Sequence, residues 1–305
     1  MDISVIIVNW NTRDLLRRCL DSLVATAGSL AVEVIVVDND SHDGSQDMLC
    51  ADYPFVTLIQ NSANVGFARA NNQGATHASA PLLLLLNSDA AVLPHALDRA
   101  VEFMRTHVDI GILGLQLLND DLTLQVPGER FPTLISTIIG LLPLPTGWGA
   151  RCEQRRSVRD YSRMAYVDTV CGAALMVRRD LFEALGRFDE RFYFTSEEVD
   201  LCWRASESGS RVAYLPAAQV VHSIGGARAR VPSLRQGLVV QRGRYMLLQR
   251  HKPMWQALVL RGYIALFTAA RLLRVGLRVR RQPPLVTHTA AHSFARELLW
   301  LLHHQ

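Results

Sequence analysis

The chain has 305 residues, 49% hydrophobic and 20% charged, so it can form a large packed core and is not a disordered chain. Its net charge of +4 conceals an asymmetry, because residues 208–305 carry 15 Arg and Lys against one acid and residues 1–207 carry 17 against 27. The two parts therefore have net charges of +14 and −10, which point to an anionic partner for the last third.

Strand-like and helix-like segments alternate along the first hundred residues. The five leucines at 82–86 are typical of a strand buried on both faces. Thr12 or Asn11 is placed to cap the first helix. This alternation with short loops predicts an α/β fold whose Rossmann-like, mostly parallel sheet has helices on both faces. The predicted elements are strands at 3–8, 32–37, 56–59 and 82–86, and helices at 13–24, after the turn 41–45, and at 66–77.

The middle of the chain continues with both types of element. An apolar, proline-punctuated stretch at 131–148 interrupts them and is unlike the sheet segments. Pro94 suits a first helical turn, and Gly209 suits a helix end. The predicted elements are helices at 93–107, 179–185 and 197–208, and strands at 110–118, 170–177, 212–215 and 219–221.

The last third is basic and apolar at once. Residues 254–276 are hydrophobic but include Arg261, Arg271 and Arg274, which are too many charges for a membrane-spanning helix. An amphipathic helix in the membrane interface fits this pattern, and a helix packed on the domain or in a dimer is the alternative. The basic residues fit a solvated surface, anionic lipid or a phosphate-bearing substrate. No nucleic-acid-binding motif is recognisable, so no nucleic-acid partner is expected.

Cysteine spacing and the N-terminus indicate the compartment. The five cysteines show no C-x-x-C spacing, which argues against a zinc ribbon or disulfide framework and favours a reducing environment. Residues 1–4 lead directly into a strand, without the basic region or cleavage site of a signal peptide, so we expect none. A cytoplasmic protein is expected.

Two segments in the first half are candidates for holding a nucleotide. Asp38, at the end of the second strand, can accept hydrogen bonds from a base or a ribose, although Asp38 and Asp40 can equally cap the following turn. Gly66 permits close approach at a helix start, where backbone amides favour phosphate, and Arg69 adds a positive charge. The alternative is an ordinary glycine-containing helix start, since the P-loop sequence is absent.

Two acidic positions carry the expected chemistry. Asp89 follows the leucine strand and suits Mg²⁺ or Mn²⁺ bridging a diphosphate, with His222 as a second ligand or as a structural histidine. Glu197, Glu198 and Asp200 open a helix, where acids are favoured by the helix dipole, but clustered carboxylates also suit a general base. Asp200 can instead pair with Arg204 four residues later.

Six segments, taken in order, resemble the inverting family 2 glycosyltransferases with the GT-A fold, especially the rhamnosyltransferase-like branch. The resemblance covers about residues 3–226, and its specificity lies in the ordered set. The segments are 4–11 (SVIIVNWN), 36–45 (VVDNDSHDGS), 64–68 (NVGFA), 86–89 (LNSD), 186–190 (GRFDE) and 197–204 (EEVDLCWR).

The resemblance implies roles for individual residues. Asp38 would bind the base or ribose, Asn11 would line the nucleotide pocket with Asp40 beside it, and Gly66 and Arg69 would lie near the nucleotide. Asp89 would hold the metal on the diphosphate, alone or with His222, since Asn87 stands where many relatives have Asp. Gly172 and Asp200 would lie on the acceptor side. The base would be the second acid of a pair, here Glu198, with Glu197 as the alternative.

The implied activity is inverting transfer of a sugar from a nucleotide-sugar to a hydroxyl of a glycan or lipid-linked glycan in bacterial cell-surface polysaccharide synthesis. dTDP-rhamnose is the first choice of donor and a UDP-hexose the second. We expect a GT-A domain at 1–226, with a nucleotide-sugar half at about 1–118 and an acceptor half at about 165–226. A basic, amphipathic helical extension at 227–305 would associate with the cytoplasmic face of the inner membrane or with a second copy.

Two other classes compete with this interpretation. A catalytically inactive binding protein of the same fold would be expected to lose the acids, yet Asp38, Asp89, Glu198 and Asp200 are all present. A nucleotidyltransferase would need a glycine-rich, basic loop after the first strand, where this chain has Asn9-Trp10-Asn11-Thr12.

Overall fold

A computed structural model describes residues 1–125, 128–141, 160–193, 195–223 and 233–279. The chain divides into two compact units. The sheet unit comprises residues 1–131 and 153–233, and the helical unit comprises residues 132–152 and 234–305. Of the predicted extension at 227–305, residues 227–232 and 280–305 lie outside the described residues, as do residues 142–148 of the apolar stretch at 131–148.

The described elements alternate between strand and helix, as predicted. The strands are β1 Ile3–Asn9, β2 Val32–Asp38, β3 Thr57–Gln60, β4 Leu82–Asn87, β5 Ala90–Val92, β6 Ile110–Leu118, β7 Gly128–Glu129, β8 Ala165–Tyr166, β9 Thr169–Val170, β10 Ala174–Arg178 and β11 Arg211–His222. The helices are α1 Arg13–Thr26, α2 Ser45–Asp52, α3 Phe67–His77, α4 Ala96–Thr106, α5 Leu134–Leu141, α6 Arg179–Ala184, α7 Glu197–Glu207, α8 Ser233–His251 and α9 Met254–Val279.

The main sheet has the order β3-β2-β1-β4-β10-β6-β11-β5, with β8 paired to β11. β1, β2, β3 and β4 are parallel to one another. β10 is antiparallel to both its neighbours, so β6, and with it β11, runs in the direction of β4. Among the described strands of this sheet only β5, β8 and β10 run the other way, and the prediction of a mostly parallel sheet is confirmed.

The leucine strand explains why helices cover both faces of the sheet. Alternate side chains of a strand point to opposite faces. Leu82, Leu84 and Leu86 pack in the core formed with α1, α2 and α4. Leu83 and Leu85 pack in the second core, with α3, α6 and α7. All five are buried, and the prediction of a strand buried on both faces is confirmed.

Two predicted strands differ from the structure. The strand at 170–177 is divided in two, because β9 pairs with β7 in a separate two-stranded sheet whereas β10 belongs to the main sheet. The two strands at 212–215 and 219–221 form the single strand β11, whose register shifts between Leu215 and Gln219, so a β-bulge stands where a break was expected. The short strands β5, β7 and β8 and the helix α5 had no counterpart among the predicted elements, whereas α8 and α9 lie in the segment that was predicted to be helical.

The helical unit contains α5, α8 and α9. Its core is formed by Leu248, Leu260 and Ile264, with Leu134 and Ile138 of α5 packed against them. The predicted boundary at residue 226 placed α5 in the N-terminal domain. In the structure α5 groups with the C-terminal helices, because its apolar side chains pack against them. None of the described helices combines the length and the apolar character needed to cross a membrane.

Candidate active site

Polar side chains gather at the carboxyl edge of the main sheet. Asn9 and Asp38 are register partners at the ends of β1 and β2, and Asn87 ends β4. His222 ends β11, which runs in the same direction. β10 runs the opposite way, so its first residue, Ala174, lies at this edge, opposite Leu86. In α/β sheets ligands bind at such an edge.

Asp38 organises the loop that follows β2. Its carboxylate is fully buried and accepts hydrogen bonds from Asn9 Nδ2 at 2.7 Å, Ser41 N at 2.9 Å and Gln46 Nε2 at 2.8 Å. A carboxylate has about four acceptor positions, so one remains for a ligand. The turn-organising role, left open by the sequence, is therefore present in the structure, and contact with a nucleotide stays a prediction.

Asn11 and Asp40 lie on the two sides of this loop. Both have positive φ, 54° and 64°. Asn11 Oδ1 accepts from His42 N at 2.7 Å, and its backbone N donates to Ser41 Oγ at 2.8 Å, so Asn11 ties the β1 loop to the β2 loop. The Asp40 side chain is 40% exposed, which makes its carboxylate more accessible to a ligand than that of Asp38.

Thr12 does not cap α1 as expected. Its hydroxyl donates to Asn9 Oδ1 at 2.7 Å and lies 2.7 Å from Ser88 Oγ. These bonds connect the ends of β1 and β4 beneath the loops. Asn9 and Ser88 lie within two of the six segments but were given no role there, and the structure makes them structural members of this edge.

Gly66 and Arg69 were expected to lie near phosphate, but in the structure both contact the loop of residues 186–193. Gly66 has φ 91° and ψ 169°, and an added Cβ would lie 2.7 Å from the backbone O of Tyr193. The amides of Gly66 and Phe67 already donate to Asn64 Oδ1 and to Tyr193 O. The close approach that Gly66 permits is therefore to the 186–193 loop, because this loop packs on the start of α3. Arg69 Nε lies 3.8 Å from Glu190 Oε2.

Asp89 and His222 form a pair suited to a divalent metal. Asp89 Oδ1 lies 3.3 Å from His222 Nε2, and both side chains are largely buried. Two atoms bound in adjacent positions to one ion at about 2.1 Å lie about 3 Å apart, so this pair fits Mn²⁺ or Mg²⁺. Within the described residues no group of three or more such side chains occurs. The pair would therefore leave most coordination positions to a substrate and water.

Asn87 links this pair to the segment before β10. Its Nδ2 lies 3.5 Å from His222 Nε2, and its backbone N donates to Ala173 O at 3.0 Å. The neighbouring Gly172 faces Glu198, since a Cβ built on Gly172 would lie 3.5 Å from Glu198 Cβ. A series of contacts thus connects the Asp89–His222 pair with Glu198 at the start of α7.

The two acids of α7 have different environments. Glu197 is 4% exposed, and within the described residues its Oε2 is buried without a hydrogen-bond partner. Burial, reinforced by the Glu198 carboxylate, raises the pKa of Glu197 well above its usual range. Glu198 is half-buried and lies beside Gly172. A carboxyl that stays protonated cannot act as a base, so this geometry favours Glu198.

Asp200 has a structural role in the sheet unit. It is fully buried and accepts from Arg204 Nε at 2.7 Å, while Arg204 NH1 donates to Leu185 O at 2.7 Å. The pairing four residues apart, which the sequence left open, is therefore made. A role of Asp200 toward the acceptor stays a prediction.

The chain as a whole is similar to known proteins. The profile described as Glycosyl transferase family 2 matches residues 4–186, more than half of the chain. The chain is 27% identical over 299 residues to the N-acetylglucosaminyl-diphospho-decaprenol L-rhamnosyltransferase of Mycobacterium tuberculosis, covering 92% of this chain and 96% of that one.

Solved structures share the fold at low identity. S. aureus TarS 1–349 superimposes with a TM-score of 0.57 at 17% identity, covering 84% of this chain and 68% of that chain. The mannosyltransferase PcManGT from Pyrobaculum calidifontis, in complex with GDP-Man and Mn²⁺, gives 0.53 at 17% identity, covering 98% and 87%. Because the profile spans β1 to α6 and these structures share the sheet and helices described above, this chain belongs to glycosyl transferase family 2 and has the GT-A fold.

Proposed function

We propose that this glycosyltransferase transfers a sugar from a nucleotide-sugar to a hydroxyl of a lipid-linked glycan, with inversion at the anomeric carbon. The observation that carries the proposal is this series of contacts at the sheet edge. Asp89 and His222 are 3.3 Å apart, and the backbone hydrogen bond from Asn87 to Ala173 leads to Gly172 and Glu198. One end of this site suits a diphosphate, and the other suits a reacting hydroxyl.

The donor and acceptor follow from the similarity to the M. tuberculosis enzyme. That relative is named as an L-rhamnosyltransferase acting on an N-acetylglucosaminyl-diphospho-decaprenol. We therefore propose dTDP-rhamnose as donor, a polyprenyl-diphosphate-linked sugar as acceptor and cell-surface glycan synthesis as the process. A UDP-hexose is the alternative donor. The identity of the donor is therefore the first property of this chain to determine.

In the proposed reaction Glu198 accepts the proton of the acceptor hydroxyl. The hydroxyl oxygen forms its bond to the anomeric carbon as the bond to the diphosphate breaks on the opposite face. Asp89 and His222 would hold Mg²⁺ or Mn²⁺, which neutralises the negative charge on the leaving nucleoside diphosphate. Glu197 stays neutral beside Glu198 because of its burial, and so avoids placing a second charge next to the base. Asp40 and Asn11 line the nucleotide side.

We further propose that α9 lies on the cytoplasmic face of the inner membrane. Trp255, Leu258, Val259 and Leu266 are exposed and lie at the spacing of one helical face. Ala257, Leu260 and Ile264 are buried on the other side. An exposed apolar face with a tryptophan, in a region where residues 208–296 contain no Asp or Glu, suits an anionic lipid surface. A lipid-linked acceptor would be reached there.

The test is a transfer assay with a panel of nucleotide-sugars, Mn²⁺ and a GlcNAc-diphospho-polyprenol. We expect nucleoside diphosphate release and product formation with dTDP-rhamnose, and an inverted anomeric configuration by NMR. Transfer from a UDP-hexose alone would replace the donor assignment. A folded protein that binds nucleotide-sugars but turns over none of them would support the inactive binding protein instead.

A further inference from the structure

His222 is held from behind by Gln125. The Nδ1 atom of His222 lies 3.0 Å from Gln125 Oε1, and Gln125 Nε2 donates to the backbone O of His222 at 2.6 Å. Gln125 therefore hydrogen-bonds to both the ring and the main chain of His222. It lies on the returning arm of a hairpin whose loop, residues 119–123, is closed by an isolated bridge between Leu118 and Leu124.

The direction of these hydrogen bonds can be traced from a group that only accepts. Asp121 Oδ1 accepts from Thr123 Oγ at 2.5 Å, and hydrogen bonding from Thr123 lowers the pKa of the Asp121 carboxyl, so Asp121 is ionised at neutral pH. The single hydroxyl proton of Thr123 is thereby used. Thr123 Oγ must then accept from Asn119 Nδ2, which lies 2.8 Å away.

The same reasoning fixes the next two side chains. With its Nδ2 turned to Thr123, Asn119 presents Oδ1 to Gln125 Nε2 at 2.9 Å. A reversed Gln125 amide would place its oxygen against Asn119 Oδ1 and His222 O, both acceptors. Gln125 Oε1 consequently faces His222 Nδ1, and an amide oxygen can only accept, so Nδ1 carries the hydrogen.

The tautomer of His222 determines what its second ring nitrogen, Nε2, can bind. With the hydrogen on Nδ1, the neutral ring has its lone pair on Nε2, which faces Asp89 Oδ1 at 3.3 Å. A lone pair and a carboxylate at this distance are two acceptors, and a cation between them satisfies both. We infer that Gln125 is a positioning residue that holds His222 in its Nδ1–H tautomer and so presents Nε2, with Asp89, to the divalent metal of the proposed transferase.

A second contact anchors the loop at the same strand end. Asp120 Oδ1 accepts from Ser223 Oγ at 2.8 Å and from Arg18 NH1 at 3.0 Å. Ser223 directly follows His222, and its backbone N donates to Asp89 O at 3.0 Å. The loop is thus hydrogen-bonded to both His222 and Ser223, which makes Gln125 part of a larger support for this strand end. Partners of this kind orient the ligands of metals and are typically worth 10–100-fold in metal affinity.

The first test reads the tautomer in metal-free protein. The chain has ten histidines, so the ring nitrogens of His222 are assigned in ¹⁵N-histidine spectra by their loss in His222→Gln. At a pH where the ring is neutral we expect a protonated Nδ1 and an unprotonated Nε2. A proton on Nε2, with or without one on Nδ1, would overturn the inference. This measurement needs no donor, acceptor or activity.

The second test measures the affinity for Mn²⁺ by electron paramagnetic resonance of the ion, in the presence of dTDP or UDP. Gln125→Met removes the amide, and we expect 10–100-fold weaker Mn²⁺ binding and loss of the Nδ1–H preference. Gln125→Glu keeps an acceptor for Nδ1 but places an oxygen against Asn119 Oδ1 and His222 O, so it should keep the tautomer while restoring only part of the affinity. Gln73→Met is the matched control, because Gln73 exchanges hydrogen bonds with Asn61 away from His222. Equal Mn²⁺ affinity in Gln125→Met and Gln73→Met would overturn the inference.

The two proposals can fail separately. If no nucleotide-sugar supports transfer but the tautomer and Mn²⁺ affinity change as expected, the transferase assignment fails and the role of Gln125 stands. If transfer occurs with a metal while Gln125→Met leaves the tautomer and the affinity unchanged, the role of Gln125 fails alone. Circular dichroism of each variant separates loss of binding from loss of folding.

Discussion

The two adjacent glutamates of α7 differ more in environment than in chemistry. Glu197 is buried in the sheet unit, whereas Glu198 is half-buried beside Gly172. One helical step of about 100° separates successive side chains, which is enough to place one acid in the core and the other in the site. The assignment of the base therefore depends on which side of α7 each carboxyl occupies.

Replacing Glu198 by Gln should preserve the shape of the site and remove the proton acceptor. We expect kcat to fall by about 10²–10⁴-fold with donor affinity unchanged, since the base acts on the acceptor hydroxyl. Single-turnover transfer and nucleotide-sugar binding by calorimetry measure the two quantities. Near-normal turnover in Glu198→Gln, together with an inactive Glu197→Gln, would reverse the assignment.

Glu197 should make the stability of the fold depend on pH. Above the ordinary carboxyl pKa of 4.5, Glu197 loses its proton in the unfolded chain but keeps it in the folded chain. The free energy of unfolding therefore falls as the pH rises from 4.5 toward the raised pKa of the folded state. The slope is at most about 1.4 kcal/mol per pH unit for one proton. Urea unfolding at several pH values should show a shallower decline in Glu197→Gln. Identical slopes in both proteins would contradict the buried neutral carboxyl.

Asp89→Asn tests the metal pair. Loss of one of two protein ligands should weaken donor binding and transfer together, and EDTA should have the same effect on the native protein. Asp98→Asn is a matched control, because Asp98 also lies beside a histidine, His95, at 3.8 Å, but on the exposed side of α4. Full activity in EDTA would contradict the metal. Arg69 or another cationic side chain would then have to neutralise the negative charge of the leaving diphosphate.

At the scale of the element, the start of α3 depends on a glycine. Gly66 has φ 91° and ψ 169°, a conformation nearly restricted to glycine, and its missing side chain leaves room for Tyr193. Gly66→Ala should lower the free energy of unfolding by about 1–3 kcal/mol for the backbone alone, and by more because of Tyr193. Urea unfolding measures this loss. Gly209→Ala, at φ 88° with open space around it, is the control, and equal losses in both variants would deny the contact with Tyr193.

The exposed face of α9 should bind anionic membranes. We expect flotation with vesicles containing phosphatidylglycerol, and less flotation as salt rises, because basic residues contribute about 1 kcal/mol each near such a surface and are screened. Trp255→Ser should weaken binding, whereas Phe55→Ser, a similarly exposed aromatic of the sheet unit, should not. Absence of flotation at low salt, with a dimer that dissociates when residues 254–281 are removed, would assign the face to a second copy.

At the scale of the whole molecule, the sequence predicted what is local. The leucine strand, the helix starts and the acids at strand ends are encoded within a few residues, so β4 and α7 were predicted close to where they occur, while the roles of Asp89 and of the acids of α7 stay predictions. The insertion of β10 between β4 and β6 and the grouping of α5 with the C-terminal helices are pairings of distant segments. Gln125 lies 97 residues from His222, and no periodicity or motif connects them.

The antiparallel strand in the middle of the sheet also affects how the protein is made. β1 to β4 are complete at residue 87, but the partner for the second edge of β4 ends only at Arg178. A growing chain between these lengths presents the unpaired backbone of its most apolar strand, the type of edge on which β-aggregation starts. We therefore expect the interval from residue 87 to residue 178 to be the stage of synthesis at which this edge is open to aggregation.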